Sequence, residues 1–176
     1  KSSERNHCLK YPLWMDGEYH DYQRTTRFLK NLESDYPHQV EVFSIGKSVM
    51  EKDIWCIKIT NEKNTTEKDS CVIDGCIHGN EWESGEICLY LAEFLLLNFN
   101  LNQSITHILN TSVIYLIPLL NPDGRDNDFR YNDNGVDLNR NFDVHFGRLR
   151  SRNYPLGKLF GIIKIPYIVL PFRNTW

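Results

Sequence analysis

Along the chain the apolar positions change period in a way that predicts helices alternating with strands. From Asp16 to Tyr36, Tyr22, Leu29 and Leu32 recur near helical spacing in polar company, and Pro37 stops the pattern. Val40 to Ile45 and Asp53 to Ile59 are rich in β-branched and aromatic residues. The Gly46-Lys47-Ser48 stretch between them carries turn chemistry, so the two segments read as a paired hairpin. After a polar loop from Asn61 to Asp69, the short apolar run Cys71 to Ile77 suits a strand buried on both faces. Ile87, Tyr90, Leu91, Phe94 and Leu95 then fall at i, i+3, i+4, i+7 and i+8, the spacing of a helix that lays one stripe on a core. Ser112 to Leu120 is a further apolar strand, closed by the turn-forming residues Asn121-Pro122-Asp123-Gly124. Strands separated by a long helix imply parallel pairing, and the hairpin adds antiparallel pairing. The expected fold is therefore α/β, a mixed parallel and antiparallel sheet flanked by helices, in a single domain over residues 1–176.

Composition narrows the class. A chain of 176 residues with 41% apolar positions can bury a core of ordinary size and is not disordered. Lys+Arg 20 against Asp+Glu 23 gives a formal charge of −3, which removes the electrostatic basis for a nucleic-acid or acidic-membrane partner. The longest apolar stretches, Ser112 to Leu120 and Leu159 to Leu170, fall short of the ~20 residues a membrane span requires, so a soluble chain is expected. Residue 1 is Lys, and no cationic start leads into an apolar segment before Asn6, so the start reads as processed. Cys8, Cys56, Cys71, Cys76 and Cys88 are irregularly spaced. They suit free thiols better than a disulfide framework, with Cys71 and Cys76 buried in their apolar run. Asn-x-Ser/Thr triplets at Asn64, Asn102 and Asn110 permit glycosylation in an extracellular setting.

Two clusters carry the chemistry. In Cys71 to Glu86, His78 and Glu81 stand just beyond the carboxyl end of the expected strand, where open α/β sheets bind ligands, and from a tight turn both can reach one metal. A satisfied polar pair that ends a strand is the alternative. A second His-x-x-Glu, His38 and Glu41, enters a strand, where residues three apart point to opposite faces and cannot chelate together. The stretch Phe129 to Phe142 packs two Arg, four Asn and two Asp between apolar anchors. Arg suits a two-point grip on a carboxylate, neighbouring Asn amides complete the fork, and Asp137 can accept the free N–H of a metal-bound imidazole. A solvated Asn/Asp/Gly turn with surface arginines is the competing reading of that stretch.

Taken together, the GKS turn at Gly46, HGNE at His78, NPDG at Asn121 and RYNDNGVDLNRNF from Arg130 resemble the zinc metallocarboxypeptidases of the carboxypeptidase A-like family over about Tyr22 to Phe142. The resemblance implies a carboxypeptidase-like fold, Zn2+ as cofactor, and removal of C-terminal residues from peptide or protein substrates with a free C-terminus. It implies His78 and Glu81 as zinc ligands, Arg130 as the group that polarises the scissile carbonyl, Asn139 and Arg140 as the clamp on the terminal carboxylate, and Asp137 as partner of the zinc histidine. The implied reaction is metal-assisted hydrolysis of the last peptide bond.

The family also has a third zinc ligand, a His far downstream, with a substrate-capping Tyr and a Glu general base later still. His145 lies too close to Phe142 for that ligand, and neither Glu83 nor Glu86 matches the base. The chain is thus expected to be a C-terminally truncated, monomeric member, binding zinc weakly and inactive alone. Residues 153–176 match no family motif; as native sequence they would bury as a strand. Two other readings compete: a zinc acyl-amino-acid deacylase of aspartoacylase type, similar at HGNE and DLNR, and a non-catalytic module that binds peptide C-termini.

Overall fold

Asp21 opens the first helix by accepting the amide of Arg24 on its carboxylate at 2.7 Å. Helix α1 runs Tyr22–Asp35, buries Thr25, Phe28, Leu29 and Leu32, and ends ahead of Pro37. The computed structural model describes residues 19–142. The expected helix residues before Tyr19, Cys8, His145, the stretch from Leu159 to Leu170 and the tail 153–176 lie outside the described residues.

Strands β1 (Val40–Lys47) and β2 (Asp53–Ile59) pair antiparallel as the hairpin pattern predicts, with Val42 opposite Ile57, but the turn expected at Gly46-Lys47-Ser48 falls at 48–52, with Gly46 and Lys47 still in β1. Strand β3 is Asp69–Asp74, helix α2 is Trp82–Asn98, α3 is Gln103–Thr111, β4 is Ser112–Ile117 and the short α4 is Pro122–Asp126, followed by a 3-10 turn at Leu138–Arg140. The sheet order is β1-β2-β4-β3, antiparallel except for the parallel β3/β4 pair, so the expected mixed sheet is present. Alternation along the strands separates two apolar clusters. Val40, Val42, Ile57, Ile59, Ile114 and Leu116 meet α1 and α2, while Phe43, Ile54, Cys56, Tyr115 and Ile117 form a smaller cluster of their own.

Three expectations are corrected. The strand expected at Cys71 to Ile77 starts at Asp69, ends at Asp74 and is largely exposed, because β3 has β4 on one side and is an edge of the described sheet. Cys71 is accordingly exposed, whereas Cys56, Cys76 and Cys88 are buried free thiols. Helix α2 buries Gly85, Cys88, Leu89, Ala92, Leu95 and Leu96, and Ile87, expected on the stripe, is 62% exposed. The helix is apolar nearly all round, so its period does not decide which face packs. Helix α3 was not anticipated. Its signal is Asn102, whose side chain accepts the amides of Ser104 and Ile105 at the N-cap. Among the described residues no helix is long and apolar enough to cross a membrane.

The thiols give a pH prediction. Burial pushes Cys56 and Cys88 from 9.0 up to about 12 and raises Cys76 as well. The unfolded chain ionises these thiols first, so their contribution to stability is full below about pH 9 and is lost as pH rises towards 12. Iodoacetamide at about pH 8 should label Cys71 and spare Cys56, Cys76 and Cys88 until urea is added, as read by peptide mass. Rapid native labelling of Cys88 would contradict this packing.

Candidate functional site

The parallel strands β3 and β4 end side by side, Asp74 opposite Ile117, and each runs into a turn that carries polar residues. The turn after β3 is held by Cys76, which adopts φ 50, unusual for a residue with a Cβ. Its amide bonds Ser84 Oγ at 2.8 Å and its thiol donates to the Glu81 carbonyl at 3.3 Å. This folds His78 and Glu81 onto the entrance of α2. Glu81 occupies the N-cap, where an acceptor side chain ordinarily bonds the free helix amides, yet it makes no such bond. Its carboxylate turns to His78 instead, with Oε1 at 2.8 Å from Nδ1.

The other imidazole nitrogen is fixed from behind. His78 Nε2 lies 3.2 Å from Asp137 Oδ1, and the same oxygen accepts the Asn139 amide at 3.1 Å. Asp137 Oδ2 takes Nε and Nη2 of Arg130, each at 3.0 Å. Each ring nitrogen of His78 thus faces a carboxylate oxygen, and the tautomer protonated at Nε2 donates to Asp137 and leaves the Nδ1 lone pair directed at Glu81. In that tautomer a cation, a proton or a metal ion, is needed between Nδ1 and Oε1; in the other, Nδ1–H donates to the carboxylate. An imidazole nitrogen converging with a carboxylate oxygen is the donor chemistry zinc takes, so these residues fit the metal. His78 is buried and the Glu81 side chain is 51% exposed, which opens the pair to solvent on one side. Among the described residues no group of three or more His, Cys, Asp or Glu is arranged to hold a metal ion.

The structure thus joins His78, Glu81, Asp137 and Arg130 into one chain of contacts. Asn139 and Arg140 follow Asp137 on the 3-10 turn, both exposed, with Arg140 Nη1 donating to the Asn139 carbonyl at 2.9 Å. Glu83 and Glu86, not assignable as a base from sequence, are engaged elsewhere, by the Tyr19 hydroxyl and by the amide and ring of His20. Glu41 of the second His-x-x-Glu faces Lys58 across the hairpin.

Sequence reasoning missed two supports. Asp123, read only as a turn residue, is buried and accepts Ser48 Oγ at 2.9 Å, the Met50 amide at 3.1 Å and Lys52 Nζ at 3.3 Å, tying the hairpin turn at 48–52 to α4. Arg125 stacks its guanidinium 4.2 Å over Trp82, the first residue of α2, and donates to the His20 carbonyl at 2.8 Å. The signal for Asp123 was Ser48 in the GKS turn; none marked Arg125.

The described sheet thus carries a His/Glu turn at the carboxyl end of its parallel pair, backed by an Asp and an Arg. The chain belongs to the zinc carboxypeptidase family, whose sequence profile matches residues 25–160. It is 38% identical to carboxypeptidase D of Mus musculus over 110 residues, 61% of this chain and 8% of that protein. With human carboxypeptidase Z it shares 29% identity over 180 residues, 94% of this chain and 27% of the relative. The carboxypeptidase A structure from Helicoverpa armigera superposes with a TM-score of 0.65 at 26% identity, covering 76% of this chain and 36% of that one. The chain therefore spans well under half the length of these relatives. The family match favours the peptidase over the deacylase reading.

Proposed function

We propose that this chain carries part of the active site of a zinc-dependent carboxypeptidase that removes C-terminal residues from peptides. His78 Nδ1 and Glu81 Oε1 are the zinc donors it contributes, and the convergence of these two atoms to 2.8 Å at the end of the parallel strand pair is the observation that supports the reading. Zinc held there supplies Lewis-acid polarisation of the scissile carbonyl and activation of water. Asp137 keeps the proton on Nε2 and so keeps Nδ1 free as a donor. Arg130, oriented by Asp137 and with 37% of its side chain exposed, stabilises negative charge developing on the carbonyl oxygen. Asn139 and Arg140 hold the terminal carboxylate, and a clamp at fixed distance from the metal admits only the final amide. The substrate is a peptide with a free C-terminus. An extracellular setting fits the Asn-x-Ser/Thr triplets at Asn64, Asn102 and Asn110.

Peptide binding tests the clamp without turnover. The zinc-loaded chain should bind a short peptide with a free C-terminus at least tenfold more tightly than its amidated form, a difference of about 1.4 kcal/mol, and Arg140→Ala should remove the difference. With two protein donors it should bind zinc weakly and release no amino acid from that peptide. Equal affinity for free and amidated peptides would overturn the clamp; hydrolysis lost in His78→Ala would overturn the expected inactivity.

A further inference from the structure

The two turns of the site touch through bare backbone. A Cβ placed on Gly79, the residue after His78, would stand 2.0 Å from the carbonyl carbon of Gly124 and 2.4 Å from the Arg125 nitrogen. Backbone cannot yield at such distances as a flexible side-chain tip can, so only glycine fits. Gly124 repeats the arrangement on its far side, where a Cβ would meet the carbonyl oxygens of Tyr131 and Phe129 at 2.6 and 2.8 Å. The turn with His78, helix α4 and the segment 129–131 are thus stacked in three layers, backbone on backbone at Gly79, and at Gly124 with the Asn121 side-chain nitrogen beside the contact, 2.4 Å from where a Cβ would stand.

This stack is one half of a closed ring. The Phe129 amide bonds the Gly124 carbonyl at 2.8 Å, and the segment leads into Arg130. A turn at 132–136 follows, in which the Val136 amide bonds Asn132 Oδ1 at 2.9 Å and the Asn132 amide bonds the Val136 carbonyl at 3.1 Å. That turn brings Asp137 back onto Arg130 and onto His78 Nε2, completing the circuit. The Asn121 amide, bonded to the Cys76 carbonyl at 3.0 Å, ties α4 to the start of the same turn. In a closed ring each contact fixes the others, so the glycine spacing sets where the His78 imidazole meets Asp137.

We infer that Gly79 and Gly124 are positioning residues that lock the metal turn and the arginine loop into one cooperative unit. The inference rests on the zinc reading of His78 and Glu81 and adds that the metal's hold extends through the glycine contact to Arg130.

Amide hydrogen exchange with zinc alone as the probe tests it. A unit that opens as a whole must release zinc to open, so free zinc at about 100 times its Kd should slow exchange roughly 100-fold at every amide of the ring. The Glu81 amide, bonded to the His78 carbonyl within the metal turn, and the remote Phe129 and Asn121 amides should slow by the same factor. In Gly79→Ala zinc should bind roughly tenfold more weakly, the low end of what a lost orienting contact costs, and should protect Glu81 but not Phe129. A merely structural glycine would lower the melting temperature of that variant and leave the shared protection intact, which would overturn the inference. So would protection of Glu81 without Phe129 in the wild-type chain, a result that leaves the zinc reading standing and decides the matter even where Gly79→Ala does not fold. Zinc that slows neither amide overturns the zinc reading and the inference with it.

Discussion

Asp123→Ala should lower the stability of the chain by about 2–4 kcal/mol, because several donors lose one buried acceptor and an unmade hydrogen bond to a charged group costs about 1.5–3 kcal/mol. Asp123 is 1% exposed and holds Ser48 Oγ, the Met50 amide and Lys52 Nζ, contacts that span up to 75 residues of sequence. Lys52 retains Asp126 at 2.7 Å in the variant, so the loss falls mainly on the two neutral donors. Burial alone would lower the pKa of Lys52, but Asp126 and Asp123 together hold it above 10.5. The lysine's share of stability is therefore present below about pH 10.5 and is lost as pH rises through its folded value. Asp126→Ala, which removes an exposed partner, should cost less than about 1 kcal/mol. Urea unfolding should show the Asp123→Ala midpoint well below that of Asp126→Ala at unchanged slope. Coincident midpoints would mean that Asp123 does not join the hairpin turn at 48–52 to α4.

The second large effect concerns metal affinity. Asp137→Ala removes the oxygen facing His78 Nε2 and both contacts to Arg130, so a metal-bound imidazole loses the partner that orients it. Groups in this position are worth about 10–100-fold in metal affinity, and zinc titration of the variant should show a loss in that range. Glu83→Ala, at a carboxylate occupied by the Tyr19 hydroxyl, should leave zinc affinity unchanged. Equal losses in the two variants would show a general electrostatic effect of removing acidic charge.

The site was legible where chemistry is local. The spacing of His78 and Glu81, the acceptor role of Asp137 and the turn at Asn121 are written in short stretches, and the structure brings His78, Glu81, Asp137 and Arg130 together. The hairpin was equally plain, since Val40 to Ile45 and Asp53 to Ile59 are rich in β-branched and aromatic residues, and they pair antiparallel with a register shift between Ser44 and Lys47. What the sequence could not disclose depends on tertiary position. Ile87 and Leu89 are both apolar members of one helix, and only the placement of α1 and the sheet decides that Leu89 is buried. The Cys71 to Ile77 run looks like a central strand, but its burial depends on a neighbour that β3 lacks among the described residues. Asp123 and Gly79 are turn residues by local rules, and their wider roles arise from contacts with Ser48 and Gly124 far along the chain.

The most direct measurement is calorimetric titration of Zn2+ into the chain and into His78→Ala. One site per chain, weakened at least 100-fold by His78→Ala and comparably by Glu81→Gln, is the expected result. Zinc binding of the same strength and stoichiometry in the wild-type chain and in His78→Ala would contradict it.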